Sequence, residues 1–179
     1  MGLFDKILDV AKDFEQKFDA LILFAPKNLS AEIVEQIKKY SRAGGSFLLI
    51  LDPVNETSRL YSYENATIES TSLGELADFW GIKFYENYVV ADLQNSITVD
   101  ATINYNTNPV FTQDVIQFKV PKENMNPKHP ITRHLHELML ASASVIMPDI
   151  VRFEAGKIKF TPLLKAGDVS AIITSEVVT

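Results

Sequence analysis

The chain has 179 residues, 46% of them hydrophobic and 22% charged, with a formal net charge of −6 and no cysteine. That length and balance suit one globular domain with a real core, while the acidic charge and the lack of any dense Lys/Arg run exclude a binder of nucleic-acid backbones. Without cysteine there are no disulfides, thiolate metal sites or cysteine nucleophiles, and no apolar run reaches the roughly 18–20 residues that span a bilayer.

Residues 3–18 place Leu3, Phe4, Ile7, Leu8, Ala11, Phe14 and Phe18 at helical spacing, with charged residues between them. This predicts an amphipathic helix packing one face on the domain. Asp5 and Asp9 in this stretch do not fit a signal peptide, so the chain carries no targeting element, although it is compatible with a soluble piece of a longer membrane-anchored protein. Ala20–Phe24 is a continuous apolar run stopped by Ala25-Pro26, which reads as a strand buried on both faces. Ser30 then offers a helix N-cap with Glu32 in the first turn. Ile33, Val34, Ile37 and Tyr40 form one stripe, Lys38, Lys39 and Arg42 crowd the last turn, and Gly44-Gly45 stops the helix. Phe47–Leu51 repeats the apolar strand and ends at Asp52-Pro53. Strand, capped helix and strand make a βαβ unit, so strands 20–24 and 46–51 are expected to be adjacent and parallel.

Residues 54–71 read as a polar surface loop. Ser72 and Glu75 match a capping box, Leu73, Leu76, Phe79 and Trp80 give the next helix an apolar face, and Gly81 ends it. Residues 82–91 return to strand character. Ile97, Val99, Ala101 and Ile103 alternate with polar residues, and residues 115–120 form another candidate strand. Residues 121–130 read as a loop holding three prolines. A short helix from Ile131, a strand through Ala141–Ile146, and a hairpin of Val151–Phe153 and Ile158–Phe160 around Ala155-Gly156 complete the reading.

The chemistry is sparse. There is no G-x-G-x-x-G, no G-x-x-x-x-G-K-[ST] and no G-x-S-x-G. His129, His134 and His136 cluster, but a two-residue spacing splits a helical pair across two faces and no third ligand is evident, so neither a metal nor a cofactor is expected. Asp52 follows an apolar strand at its carboxyl end, where open α/β sheets bind ligands. Pro26-Lys27 follows the first strand in the same way, and Asp92 ends the Val89-Val90-Ala91-Asp92 stretch. Lys27, Asp52 and Asp92 are therefore the candidate rim of a ligand cleft, with Asp52-Pro53 equally readable as a strand-ending turn.

The stretches F-D-A-L-I-L-F-A-P-K-N-L-S (18–30) and I-K-K-Y-S-R-A-G-G-S-F-L-L-I-L-D-P (37–53) resemble the ABC transporter auxiliary family, which includes gliding-motility auxiliary proteins. L-A-D-F-W-G-I (76–82), V-V-A-D (89–92), H-P-I-T-R-H-L (129–135) and T-P-L-L (161–164) follow in the family's order. Here Ala166-Gly167-Asp168 intervenes before Thr174-Ser175, where the family often has Thr-Ser sooner.

The resemblance implies an amidotransferase-like or flavodoxin-like α/β fold: a mainly parallel sheet flanked by helices, with an antiparallel β extension in the C-terminal half. On this reading residues 1–179 are a single domain, with an amphipathic helix over 1–18, a βαβ-type core over 19–92 and a β-rich extension over 93–179. The implied function is a non-catalytic, extracytoplasmic auxiliary domain, acting in assembly or in substrate or partner binding. Its expected partners are the permease and ATPase components of an ABC transporter, a second copy of itself, and a sugar or peptide ligand. Two alternatives stand beside it: a small-molecule or carbohydrate-binding α/β module, and a degenerate amidotransferase-like protein with a purely structural role.

Overall fold

The computed structural model describes residues 19–54, 70–103 and 108–178. The amphipathic helix expected over 3–18 and nearly all of the loop expected over 54–71 lie outside these residues.

β1 (Ala20–Phe24) and β2 (Ser46–Ile50) pair in parallel, Ala20 opposite Ser46 and Phe24 opposite Ile50. Helix α1 (Ala31–Arg42) joins them, and Ser30 caps it by accepting the Ile33 N–H at 3.3 Å. Gly44 takes φ +86°, and Gly45 lies so close to the Tyr40 ring that any Cβ there would overlap it. The expected parallel βαβ unit is therefore present. The expectation that its strands are buried on both faces is not met. Residues along a strand point alternately to opposite sides, and only one side is covered. Leu21, Leu23, Phe47 and Leu49 pack on Val34 and Ile37 of α1, while Ile22, Phe24, Leu48 and Ile50 are exposed.

The chain then straps the carboxyl ends of both strands. The Ser72 N–H donates to the Pro26 carbonyl at 2.8 Å, and the Thr71 N–H donates to the Asp52 carbonyl at 2.9 Å. Helix α2 (Glu75–Trp80) starts later than a capping box would place it: Gly74 is the N-cap, and the Ser72 hydroxyl accepts the Gly74 N–H. Leu73 and Leu76 complete the first core, and Gly81 ends the helix. Lys38, expected in a basic last turn, is instead buried. It reaches Glu75 of α2 at 2.8 Å and Glu35 at 3.2 Å.

The mainly parallel sheet flanked by helices is overturned. Among the described residues the strands form four small sheets, of which only β1–β2 is parallel. β3 (Ile82–Phe84) pairs antiparallel with β8 (Ile146–Pro148), and β4 (Tyr88–Asp92) with β9 (Ser170–Thr174). β5 (Ser96–Asp100), β6 (Phe111–Pro121) and β7 (Glu137–Ala141) form an antiparallel meander. The physical reason lies in the connections and the patterning. Each further parallel strand needs a crossover of a dozen or more residues, and strands that alternate apolar and polar residues favour antiparallel sheets with one solvated face.

Three local expectations also fail. Residues 127–134 form turns rather than a helix, and the strand after them is β7, which ends at Ala141 where the expected one began. The expected hairpin over 151–160 is helix α3 (Ile150–Glu154), because Asp149 caps it by accepting the Arg152 N–H at 3.1 Å. That local cap offers the backbone a helical start which an apolar alternation by itself does not reveal. β9 was not expected. Its partner β4 is distant in sequence, and no neighbouring residue signals the pairing.

A second core gathers Phe118, Val120 and Met125, flanked by Val90, Leu135, Leu138, Leu140 and Leu164. Hydrogen bonds join the start of α3 to the end of α2. The Asp149 N–H donates to the Gly81 carbonyl at 2.8 Å, and Arg152 donates to the Asp78 and Phe79 carbonyls at the end of α2.

Candidate functional site

Lys27 and Asp52 follow the carboxyl ends of β1 and β2, so the parallel pairing brings both to one sheet edge. Lys27 is exposed and Asp52 is half-buried. The Asp52 backbone is clasped by Thr71, whose hydroxyl accepts the Asp52 N–H at 2.9 Å and donates to the Asp52 carbonyl at 3.0 Å. Its carboxylate accepts the Val54 N–H at 2.9 Å, the local turn that Asp-Pro sequences favour. A hollow of about 290 Å3 beside this edge is lined by Asn28, Leu29, Ser72, Gly74 and Glu75 among others.

Asp92 is not brought to that edge. It ends β4 in a different sheet and is fully buried. One carboxylate oxygen accepts the Asn95 N–H at 3.0 Å; the other accepts the Asn95 side-chain amide at 2.9 Å and the Gly167 N–H at 2.7 Å. Burial pushes this carboxyl up, but the hydrogen bonds from Gly167, Asn95 and the Gln94 backbone outweigh it and hold the group below the usual carboxylate range. A Cβ at Gly167 would lie 2.6 Å from the Asn95 amide nitrogen and 2.9 Å from an Asp92 oxygen, so a side chain there would displace the clasping groups. The Asp of V-V-A-D and the glycine of A-G-D thus meet across the fold and anchor the chain next to β9.

The histidines stay apart in role. The ring of His129 accepts the Ile131 N–H at 3.4 Å, and His134 accepts from Arg133 at 3.0 Å. Among the described residues no group of three or more His, Cys, Asp or Glu is placed to hold a metal ion. No buried side-chain nitrogen or oxygen among them is left without a partner.

A larger cavity lies elsewhere, and the sequence reading missed it. It measures about 600 Å3 and sits over the second core. Phe118, Val120 and Leu140 form its floor, Ile146 and Met147 of β8 one wall, and Phe160 with Leu164 the other. Alternate apolar residues of β6 and β7, Phe118 with Val120 and Leu138 with Leu140, were a readable signal for the floor. The walls come from segments held by the β3–β8 and Met125–Leu164 pairings and by backbone bonds from Asn126 to Leu163 and from Lys165 to Asn124. Such a cleft, mostly apolar with Ser144, Thr161 and Lys165 also on its lining, has the character of a binding pocket.

The fold and cleft therefore define a small, mostly antiparallel α/β protein with an apolar cleft. A family model described as an ABC-type uncharacterized transport system matches residues 4–179, and the chain belongs to that family. Its role is accessory to an ABC transport system. No curated protein and no solved structure matches the chain. No helix among the described residues is long and apolar enough to cross a membrane.

Proposed function

We propose that this protein is a non-catalytic docking domain of its ABC transport system, held on the extracytoplasmic side and binding a permease component through the apolar cleft. The observation that carries this reading is the cleft itself. A concave surface of about 600 Å3 floored by Phe118, Val120 and Leu140 leaves apolar area in water that a partner's side chains would cover. The membership of a transport family supports a transporter subunit as that partner, and the gliding-motility branch is the one its motifs resemble.

The test is co-expression of the full chain with its ABC permease and ATPase components, followed by co-purification. Met147→Asp and Phe160→Asp place a charge on the cleft walls, and each is expected to weaken the complex by about tenfold or more. A complex indifferent to both substitutions refutes the cleft as the interface. Turnover in a broad hydrolase and amidotransferase screen refutes the non-catalytic reading.

A second reading has its own observation. Lys27 and Asp52 share the carboxyl edge of β1–β2 beside a hollow lined by Asn28, Ser72 and Glu75, a polar mixture that suits a sugar or peptide. A thermal-shift screen separates the two, since a ligand at this edge stabilises the free domain by about RT ln(1 + [L]/Kd). A shift that Lys27→Ala and Asp52→Ala abolish, and Phe160→Asp does not, favours the edge site.

A further inference from the structure

We propose that the partner segment received by the apolar cleft is an extended strand, inserted between β8 and residues 161–166 and hydrogen-bonded to the backbone of both. This rests on the docking reading and names the shape of what docks.

Each wall of the cleft is a stretch of chain with one edge paired and the other open. In the β3–β8 pair the Asp149 N–H donates to the Gly81 carbonyl at 2.8 Å. Hydrogen-bonded positions alternate along an antiparallel pair. Met147 therefore bonds with Lys83, while the N–H and carbonyl of Ile146 and the carbonyl of Pro148 point away from β3. Ile146, Met147 and Pro148 line the cleft and no residue of β3 does, so the open edge of β8 faces the cleft.

The second wall repeats the pattern. The Asn126 N–H donates to the Leu163 carbonyl and the Lys165 N–H donates to the Asn124 carbonyl, both at 2.9 Å. Leu164, bridged to Met125, lies between these bonds, so its own N–H and carbonyl point to the opposite side. Leu164 lines the cleft, whereas Asn124, Met125 and Asn126 line a separate hollow. Among the described residues no hydrogen bond uses the backbone of Leu164, and none outside the β3–β8 pair uses that of Ile146.

These open edges select the occupant. Backbone groups in apolar surroundings need partners. A helix keeps its backbone bonds to itself, and an aliphatic ligand has none to offer. An extended segment supplies both N–H and carbonyl groups at each edge, with alternate side chains directed onto Phe118, Val120 and Leu140. Lys165, exposed on the lining and without an ion pair among the described residues, favours an acidic residue on that segment.

The test is hydrogen exchange on the full chain, free and in complex with the co-expressed permease component. The Ile146 and Leu164 amides are expected to slow by about tenfold or more in the complex. Ile146→Pro removes the outward N–H and spares the bonds to β3, which the unchanged exchange of the Met147 amide verifies. This variant should bind the permease about tenfold more weakly than Ile146→Val, which keeps the N–H. A complex that forms with no slowing at Ile146 and Leu164, or that binds both variants equally, overturns the inserted strand and leaves the docking reading standing. Absence of any complex with the parent chain overturns both.

Discussion

The β1–α1–β2 unit and the β4–β9 region build their cores from similar residues by different routes. In the first, Ala20 meets Ser46 through a single capped helix, and the partners are neighbours in the chain. In the second, Tyr88 meets Thr174 and Ile82 meets Pro148, so the partners are far apart and the sheets close only when the whole segment has folded. Local closure costs less loop entropy than distant closure. The first region should therefore form early and survive damage to the second, and the second should depend on a few clasps that hold distant segments together.

The largest effect expected from this contrast is on Phe118, which is 2% exposed at the centre of the second core. Phe118→Ala should cost about 3–5 kcal/mol in urea unfolding. Hydrogen exchange on that variant should show the amides of β5–β7 losing protection while β1 and β2 keep theirs; equal losses in both would erase the distinction. Leu76, with no exposed surface in the first core, provides the reciprocal case. Leu76→Ala should cost about 2–4 kcal/mol and strip protection from α1 and β2 first.

Asp92 probes the clasp. Asp92→Asn turns an acceptor into a donor facing the Gly167 and Asn95 N–H groups, so about 2–3 kcal/mol should be lost. The pH dependence follows from the sign of its shift. The folded carboxyl lies below its unfolded value of about 3.9, so its contribution is present above that pH and disappears as pH falls through the folded value. The acid limb of thermal stability should flatten in Asp92→Asn, and an unchanged limb would show that other carboxylates set it.

The smallest effect belongs to a purely local feature. Ser30→Ala removes the cap from α1 and should cost about 1 kcal/mol by thermal unfolding, with no effect on the cleft. A larger loss would mean that the first region is less self-sufficient than its local contacts imply.

What could be read from the chain follows the same division. The Ser30 cap, the Val34 and Ile37 stripe, the Gly44-Gly45 stop and the two apolar runs all act within one unit, and they specified the parallel pair correctly. The candidate site residues were legible only as far as that unit reached. Lys27 and Asp52 come to one edge because β1 and β2 do, whereas Asp92 is drawn into a clasp with Gly167 that no local motif announces.

The sequence by itself determined the β1–α1–β2 unit with its Ser30 cap, and that thiol chemistry is absent. It could not determine which strands pair across long separations. An apolar run such as Ser170–Thr174 is compatible with many partners until β4 presents matching hydrogen-bonding groups in register. Tertiary structure alone decided that the sheets are small and mostly antiparallel, that Lys38 is buried between two glutamates, and that Phe118, Ile146 and Phe160 converge on one cleft. Each of these outcomes depends on contacts between residues that lie far apart along the chain, where closure entropy and packing decide together and local propensity has no vote.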